Sequence, residues 1–197
     1  MISEQDLKLF FNKIDSVRYL VMRNYTCLLE EINTGGDIDL LIDSVENFIE
    51  CANAIPLNDG DKCYNYRVEI GETWVPVDIR VVGDNYYDGL WEYDMLSRRV
   101  LYQERFYVMD KDDFFYSIVY HSMLHKLEIP KKYIHMFAER NMTTKEELSK
   151  SLNEFMKSKG YRYVTPDDKG VQFNSKNFRK LKMANFFRNR RKTGAIE

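Results

Sequence analysis

Gly36-Asp37-Ile38-Asp39-Leu40-Leu41-Ile42-Asp43 reads as a β-strand with two unlike faces. Alternate side chains of an extended chain share a face, so Asp37 and Asp39 project together while Ile38 and Leu40 turn to the core. Carboxylates side by side repel each other, and a hard divalent cation with oxygen ligands relieves the repulsion. Water relieves it too, and an acidic strand end facing solvent is the alternative reading of the same residues. The preceding Gly35-Gly36 lets the chain turn tightly and is expected to leave room for a bulky ligand beside the strand.

The rest of the chain sets the scale. Its 197 residues suffice for one domain, or one domain with a helical appendage. Hydrophobic content of 44% with 14% aromatic residues indicates a globular protein. The sequence contains no apolar run long enough to span a bilayer, and Met1-Ile2-Ser3-Glu4-Gln5-Asp6 lacks a basic leader, so the expectation is a cytoplasmic protein. Cys27, Cys51 and Cys63 are odd in number and show no Cys-x-x-Cys spacing, which suits reduced thiols acting as small core residues. The net charge of −2 hides an asymmetry: residues 171–197 hold eight Lys/Arg and one acid, while the remaining 170 residues hold 21 basic and 30 acidic groups. A basic end on an acidic body points to an anionic partner or to a solvated basic helix.

Helical and strand signals alternate through the first half. Ser3-Glu4-Gln5-Asp6 forms a capping box ahead of Leu7, Phe10, Phe11 and Ile14 at helical spacing. A short strand over Val17 to Met22 ends at Arg23-Asn24, a loop or short helix follows through Glu31, and Ser44 caps a helix after the acidic strand. Tyr64 to Ile70 and Thr73 to Val82 form a hairpin, with Gly71 where a type II′ turn requires glycine. Pro76 predicts that the second of these strands lies at a sheet edge or begins there. Asp78, within Val77-Asp78-Ile79, is an acid in an apolar stretch and needs a partner or a metal to stay ionised.

Beyond this the chain turns helical. Asp88 to Arg98 predicts a short helix, Arg99 to Val108 a strand, and Asp110 to Lys126 a long helix. Pro130 opens another short helix, and Thr144-Lys145-Glu146-Glu147 caps one that runs to Lys159 and closes at Gly160. Tyr161 to Val164 and Val171 to Phe173 flank a turn and predict a terminal hairpin. The expected fold is α+β: a small mixed or antiparallel sheet with flanking helices over 1–108, then a helical subdomain over 109–197 carrying that hairpin and a basic helix.

A strand ending at Arg23-Asn24, twelve intervening residues, Asp37-x-Asp39 opening the next strand and Asp78 on a later one form an ordered constellation. It resembles the DNA polymerase β-like nucleotidyltransferase superfamily over about Val17 to Val82. There a Gly-Ser pair follows the first strand, acid–hydrophobic–acid–hydrophobic comes next, and a third acid lies on a separate strand. Gly83-Asp84-Asn85-Tyr86-Tyr87-Asp88, Trp91, Tyr120-His121-Ser122-Met123-Leu124-His125-Lys126 and Tyr161-x-Tyr163-x-x-Pro166-x-Asp168 are similar to nucleotidyltransferase-like proteins associated with bacterial surface-polysaccharide assembly.

The resemblance implies a nucleotidyltransferase-type sheet and an enzyme that transfers a nucleotidyl group from an NTP to a small hydroxyl or phosphate acceptor, in surface-polysaccharide or glycan biosynthesis. Asp37, Asp39 and Asp78 would hold two Mg²⁺ ions, and Asp78 could also serve as base. Gly36 and Asn24 would lie along the nucleotide. Arg23-Asn24 stands where the family has Gly-Ser, which changes the grip on the triphosphate or marks a lineage without catalysis. Arg23 is the first candidate for triphosphate contact. Arg80 is second, with an ion pair to Asp78 as its alternative, and Lys126 at the end of the long helix is a third.

Other features carry weaker chemistry. His121 and His125 share a helical face but lack the glutamate of His-Glu-x-x-His, so a structural or substrate-contacting role is favoured over metal. Tyr86, Tyr87, Trp91 and Tyr93 are expected to pack rather than stack a base. The basic residues over 176–192, interleaved with Phe178, Leu181, Met183, Phe186 and Phe187, allow an anionic membrane surface, nucleic acid, or docking of the apolar face with charges in water. The helix and hairpin over 144–174 have the order of a winged helix, but the acidic body disfavours extended phosphate contact. A nucleic-acid-directed or non-catalytic protein of the same fold is the alternative function.

Overall fold

Asp39 and Asp78, 39 residues apart in the chain, stand opposite each other on neighbouring parallel strands. That register comes from a computed structural model of the chain, which describes residues 1–57 and 64–183. Cys63 and the basic residues beyond Met183 lie outside the described residues, whereas Cys27 and Cys51 are free thiols.

The chain divides into units Met1–Phe114 and Phe115–Glu197, with the division inside a helix. In the first unit the elements run α1 (Glu4–Lys13), β1 (Tyr19–Val21), α2 (Leu28–Asn33), β2 (Ile38–Ile42), α3 (Val45–Ala52), β3 (Ile55–Pro56), β4 (Asn65–Ile70), β5 (Thr73–Val81), α4 (Gly89–Ser97), β6 (Val100–Tyr102) and β7 (Phe106–Val108). A seven-stranded mixed sheet orders them β3-β4-β5-β2-β1-β7-β6. The protein is thus mixed α+β, a mixed sheet with flanking helices.

Both faces of β2 are covered. Ile38, Leu40 and Ile42 join Val77 and Ile79 of β5 in a core with Leu7, Phe10 and Phe11 of α1, Ile32 of α2 and Phe48 of α3. Their spacing follows the two periodicities, 2 on strands and 3.6 on helices. On the opposite face lie Asp39, Leu41, Asp78 and Arg80, and α4 comes close to β2. Trp91, at the heart of α4, is fully buried and donates its indole N–H to Asp113 at 2.9 Å. Asp113 also binds the Arg98 guanidinium.

The predicted caps form: Ser3 with Asp6, Ser44 with the Asn47 amide, and Thr144 with Glu147. Gly71 turns the β4–β5 hairpin at φ 62° while Glu72 stays out of the positive-φ region, as a type II′ turn demands.

Three expectations need correction. Arg99 to Val108 is not one strand but the β6–β7 hairpin, turned by Gln103 and Glu104, both at positive φ. Neither residue type announces such a turn. Strand β5 is interior, yet Pro76 is tolerated because pairing with β2 begins only at Val77. The Ile79 amide bonds to the Tyr64 carbonyl, so by alternation the ring nitrogen of Pro76 faces away from β4, towards the side where β2 has not yet started. The terminal hairpin is the third: among the described residues no strand forms over 161–173.

That segment of the second unit is tied down by side chains instead. The Tyr120 hydroxyl bonds both backbone groups of Val164, and Asn174 donates to the Lys126 and Leu127 carbonyls. The winged-helix order therefore fails. The second unit contains most of α5 (Lys111–Leu124), α6 (Ile134–Glu139), α7 (Lys145–Lys159) and a helix over 175–183 that buries Leu181 while its lysines and Arg179 stay exposed. Of the apolar residues in the described part of the basic segment, Leu181 is buried and Phe178 partly buried, but Met183 is exposed, so apolar-face docking holds for only some of them.

Candidate functional site

Strands β2 and β5 bring the acids together. One carboxylate oxygen from each of Asp37, Asp39 and Asp78 lies within 4.8 Å of the others. Asp37 precedes β2 and is exposed, Asp39 is buried, and Asp78 is partly buried. The parallel register Asp39↔Asp78 puts two of them on one face without any further device.

Two arginines share the site. Arg23, just after β1, grips both oxygens of Asp39, with Nε to Oδ2 at 3.0 Å and Nη2 on Oδ1. Its Nη1 donates to the Tyr86 hydroxyl at 2.9 Å. Burial opposes the Arg23 charge, but the Tyr86 oxygen and the Asp39 carboxylate outweigh it and hold the guanidinium firmly protonated. Arg80 binds Asp78 at 3.2 Å and lies over the rings of Tyr86 and Tyr64, 4.5 and 5.1 Å from their centroids. Of the two expectations for Arg80, the ion pair to Asp78 is what the structure displays.

The electrostatics follow from burial and crowding. Although Asp37 is exposed as a residue, partial withdrawal of its carboxyl group from water, and then the Asp39 carboxylate, raises it above the ordinary range. Asp78 is pushed up to about 6, chiefly by burial and further by Asp39 and Asp37, against the pull of Arg80 and Arg23. Asp78 Oδ1 is buried with no hydrogen-bond partner among the described residues. An orphaned carboxylate oxygen costs on the order of 1–3 kcal/mol and marks a place where another group belongs. Three carboxylates offer hard oxygen donors of the kind Mg²⁺ takes in small number alongside substrate phosphates. The donor set fits a divalent cation, with Arg23 as the positive charge already on Asp39.

The other expected site residues take more modest places. Gly36 does not open space for a ligand: a Cβ there would meet the Glu31 carbonyl oxygen at 2.9 Å and its carboxylate at 3.1 Å. Glycine is needed because α2 ends against it. Asn24 adopts the left-handed conformation at φ 55°, which Asn accommodates, and its carbonyl accepts from the Cys27 amide. Lys126 belongs to the second unit, where its carbonyl holds Asn174. His121 and His125 are buried with ring centroids 5.8 Å apart, and His135 is exposed.

Two features exceed what the sequence reading foresaw. Tyr86 is buried, as packing predicts, but it also touches both site arginines. Behind it, the partly buried Asp84 and the fully buried Glu92 form a carboxyl pair that staples the loop after β5. Glu92 accepts from the Gly83 and Tyr87 amides, and Asp84 from those of Val81 and Tyr86. Burial, then the Asp84 charge, pushes Glu92 up to about 8, so it keeps its proton and donates it to Asp84. The acid-rich run Asp84 to Glu92 was the available signal.

Comparison of the chain with family models, curated proteins and solved structures finds no match.

Proposed function

We propose that this chain is a Mg²⁺-dependent nucleotidyltransferase of the polymerase β type. In this reading it moves a nucleotidyl group from an NTP to a small hydroxyl or phosphate acceptor during surface-polysaccharide or other glycan assembly in the cytoplasm, where the basic 176–192 segment could rest on an anionic membrane. The observation that carries it is the convergence of Asp37, Asp39 and Asp78 from two strands to within 4.8 Å. Mg²⁺ held by these three would neutralise charge on the departing pyrophosphate and lower the pKa of the acceptor.

The chain's own residues supply the rest. Arg23 occupies the position of the family's Gly-Ser, and its planar fork suits a phosphate as well as a carboxylate. Nucleotide binding would draw Arg23 from Asp39 to the triphosphate, freeing Asp39 as a cation ligand. Tyr86 would keep the guanidinium aimed during that exchange. Arg80, held over Tyr86 and Tyr64, would remain with Asp78 and limit the negative charge of the site.

One observation favours a second reading. Arg23 already neutralises Asp39 through two hydrogen bonds, as it would in a non-catalytic binding module that kept the fold. Pyrophosphate release separates the two. With Mg²⁺ and a panel of NTPs plus phosphorylated and hydroxylated acceptors, the wild type should release pyrophosphate and Asp39→Ala should not. Equal background rates for both would favour the non-catalytic module.

A further inference from the structure

The second unit holds a cavity of about 370 Å³ between α7, the end of α5 and the helix over 175–183. Lys145 and Lys150 reach it from α7 and Lys180 from the later helix. Among the described residues none of these three ammonium groups makes an ion pair. Glu146 is the carboxylate on the same wall, so the lining carries a formal charge of about +2.

Asn153 shows that the cavity is more than a gap among solvated lysines. Its side chain lines the wall while the residue is only 8% exposed. The Tyr163 hydroxyl donates to Asn153 Oδ1 at 2.8 Å, which fixes the amide and leaves Nδ2 as the group without an acceptor among the described residues. The amide N–H groups of Asn153 are therefore available to an acceptor that enters the cavity.

We propose that this cavity binds a phosphomonoester through Lys145, Lys150 and Lys180, with Asn153 Nδ2 as a neutral donor. Ammonium and amide N–H groups only donate, so the ligand must be rich in acceptors and negatively charged. A phosphomonoester carries about −1.5 to −2 near neutral pH, which matches the lining. The volume lies at the small end of ligand pockets, with room for a phosphate on a body the size of one sugar ring. The same chemistry occurs on free phosphorylated metabolites and on lipid headgroups. The site does not depend on the carboxylates of the first unit.

Calorimetric titration of the full-length chain tests this, using glucose 6-phosphate, inorganic phosphate and glucose, with sedimentation on phosphatidylcholine vesicles with and without phosphatidic acid. The wild type should bind glucose 6-phosphate or the phosphatidic acid vesicles saturably, and glucose not at all. Binding of the soluble probe identifies a metabolite site, and binding of the vesicles alone a headgroup site. The exposed double variant Lys145→Gln/Lys150→Gln should keep the wild-type melting curve and weaken that binding at least about tenfold. Binding of glucose as tight as that of its phosphate, undiminished binding by the double variant, or no saturable binding of any probe overturns the proposal.

Discussion

Replacing Arg23 with methionine removes a buried cation while keeping the unbranched stem of the side chain. The side chains of Arg23 and Asp39 are 10% and 11% exposed, so both groups are largely withdrawn from water. Removing one partner of such a pair leaves the other buried and uncompensated, at a cost of about 3–5 kcal/mol. Asp39 would then face Asp37 and Asp78 with no cation on it, and the loss of the bond to Tyr86 adds to the effect. A divalent cation should take the vacated place. At a concentration 100 times its Kd it would restore about 2.7 kcal/mol. Urea denaturation of both proteins in EDTA and in MgCl₂ gives the four values needed. Wild type should respond little to Mg²⁺, because Arg23 competes for Asp39, whereas Arg23→Met should be markedly stabilised. If Arg23→Met loses the expected stability and Mg²⁺ restores none of it, the carboxylates do not form a cation site. If the variant loses under about 1 kcal/mol, the pair is not the buried one described.

Other perturbations probe the frame around the site. Between the ordinary glutamate value of 4.5 and about 8, folded Glu92 holds a proton that the unfolded chain releases, so stability falls as pH rises through that window. The drop should be on the order of 2–4 kcal/mol in denaturation curves from pH 5 to 9, and Glu92→Gln should flatten it. Gly36→Ala forces a Cβ against the Glu31 backbone and should cost about 1–3 kcal/mol. Gly35→Ala meets nothing within 4 Å, so its cost of about 1–2 kcal/mol should come from φ +89° alone, and thermal melts of the two variants compare them.

Strong local patterns were readable and non-local compensation was not. The capping boxes at Ser3 and Thr144, the type II′ turn at Gly71 and the alternation through Asp37 to Ile42 depend on neighbours in sequence, and they appear as read. The convergence of Asp78 with Asp37 and Asp39 is what the family resemblance implies; spacing along the chain alone does not require it. Gln103 and Glu104 gave no turn signal because their positive φ is imposed by the β6–β7 pairing. Tyr161 to Phe173 has strand composition, but the Tyr120 hydroxyl takes both backbone groups of Val164, which strand pairing would have used. The place of Arg23 on Asp39 depends on the pairing of β1 with β2, which no motif in the sequence records.

In the proposed reaction Asp37, Asp39 and Asp78 cage divalent cations against a polyphosphate. A crystal structure with Mn²⁺ and a non-hydrolysable nucleoside triphosphate, phased for anomalous signal, tests it most directly. An anomalous peak is expected within about 2.0–2.4 Å of oxygens from these carboxylates, with Arg23 moved from Asp39 to the phosphates. A bound nucleotide elsewhere, or no peak among the three acids with Arg23 still on Asp39, would contradict it.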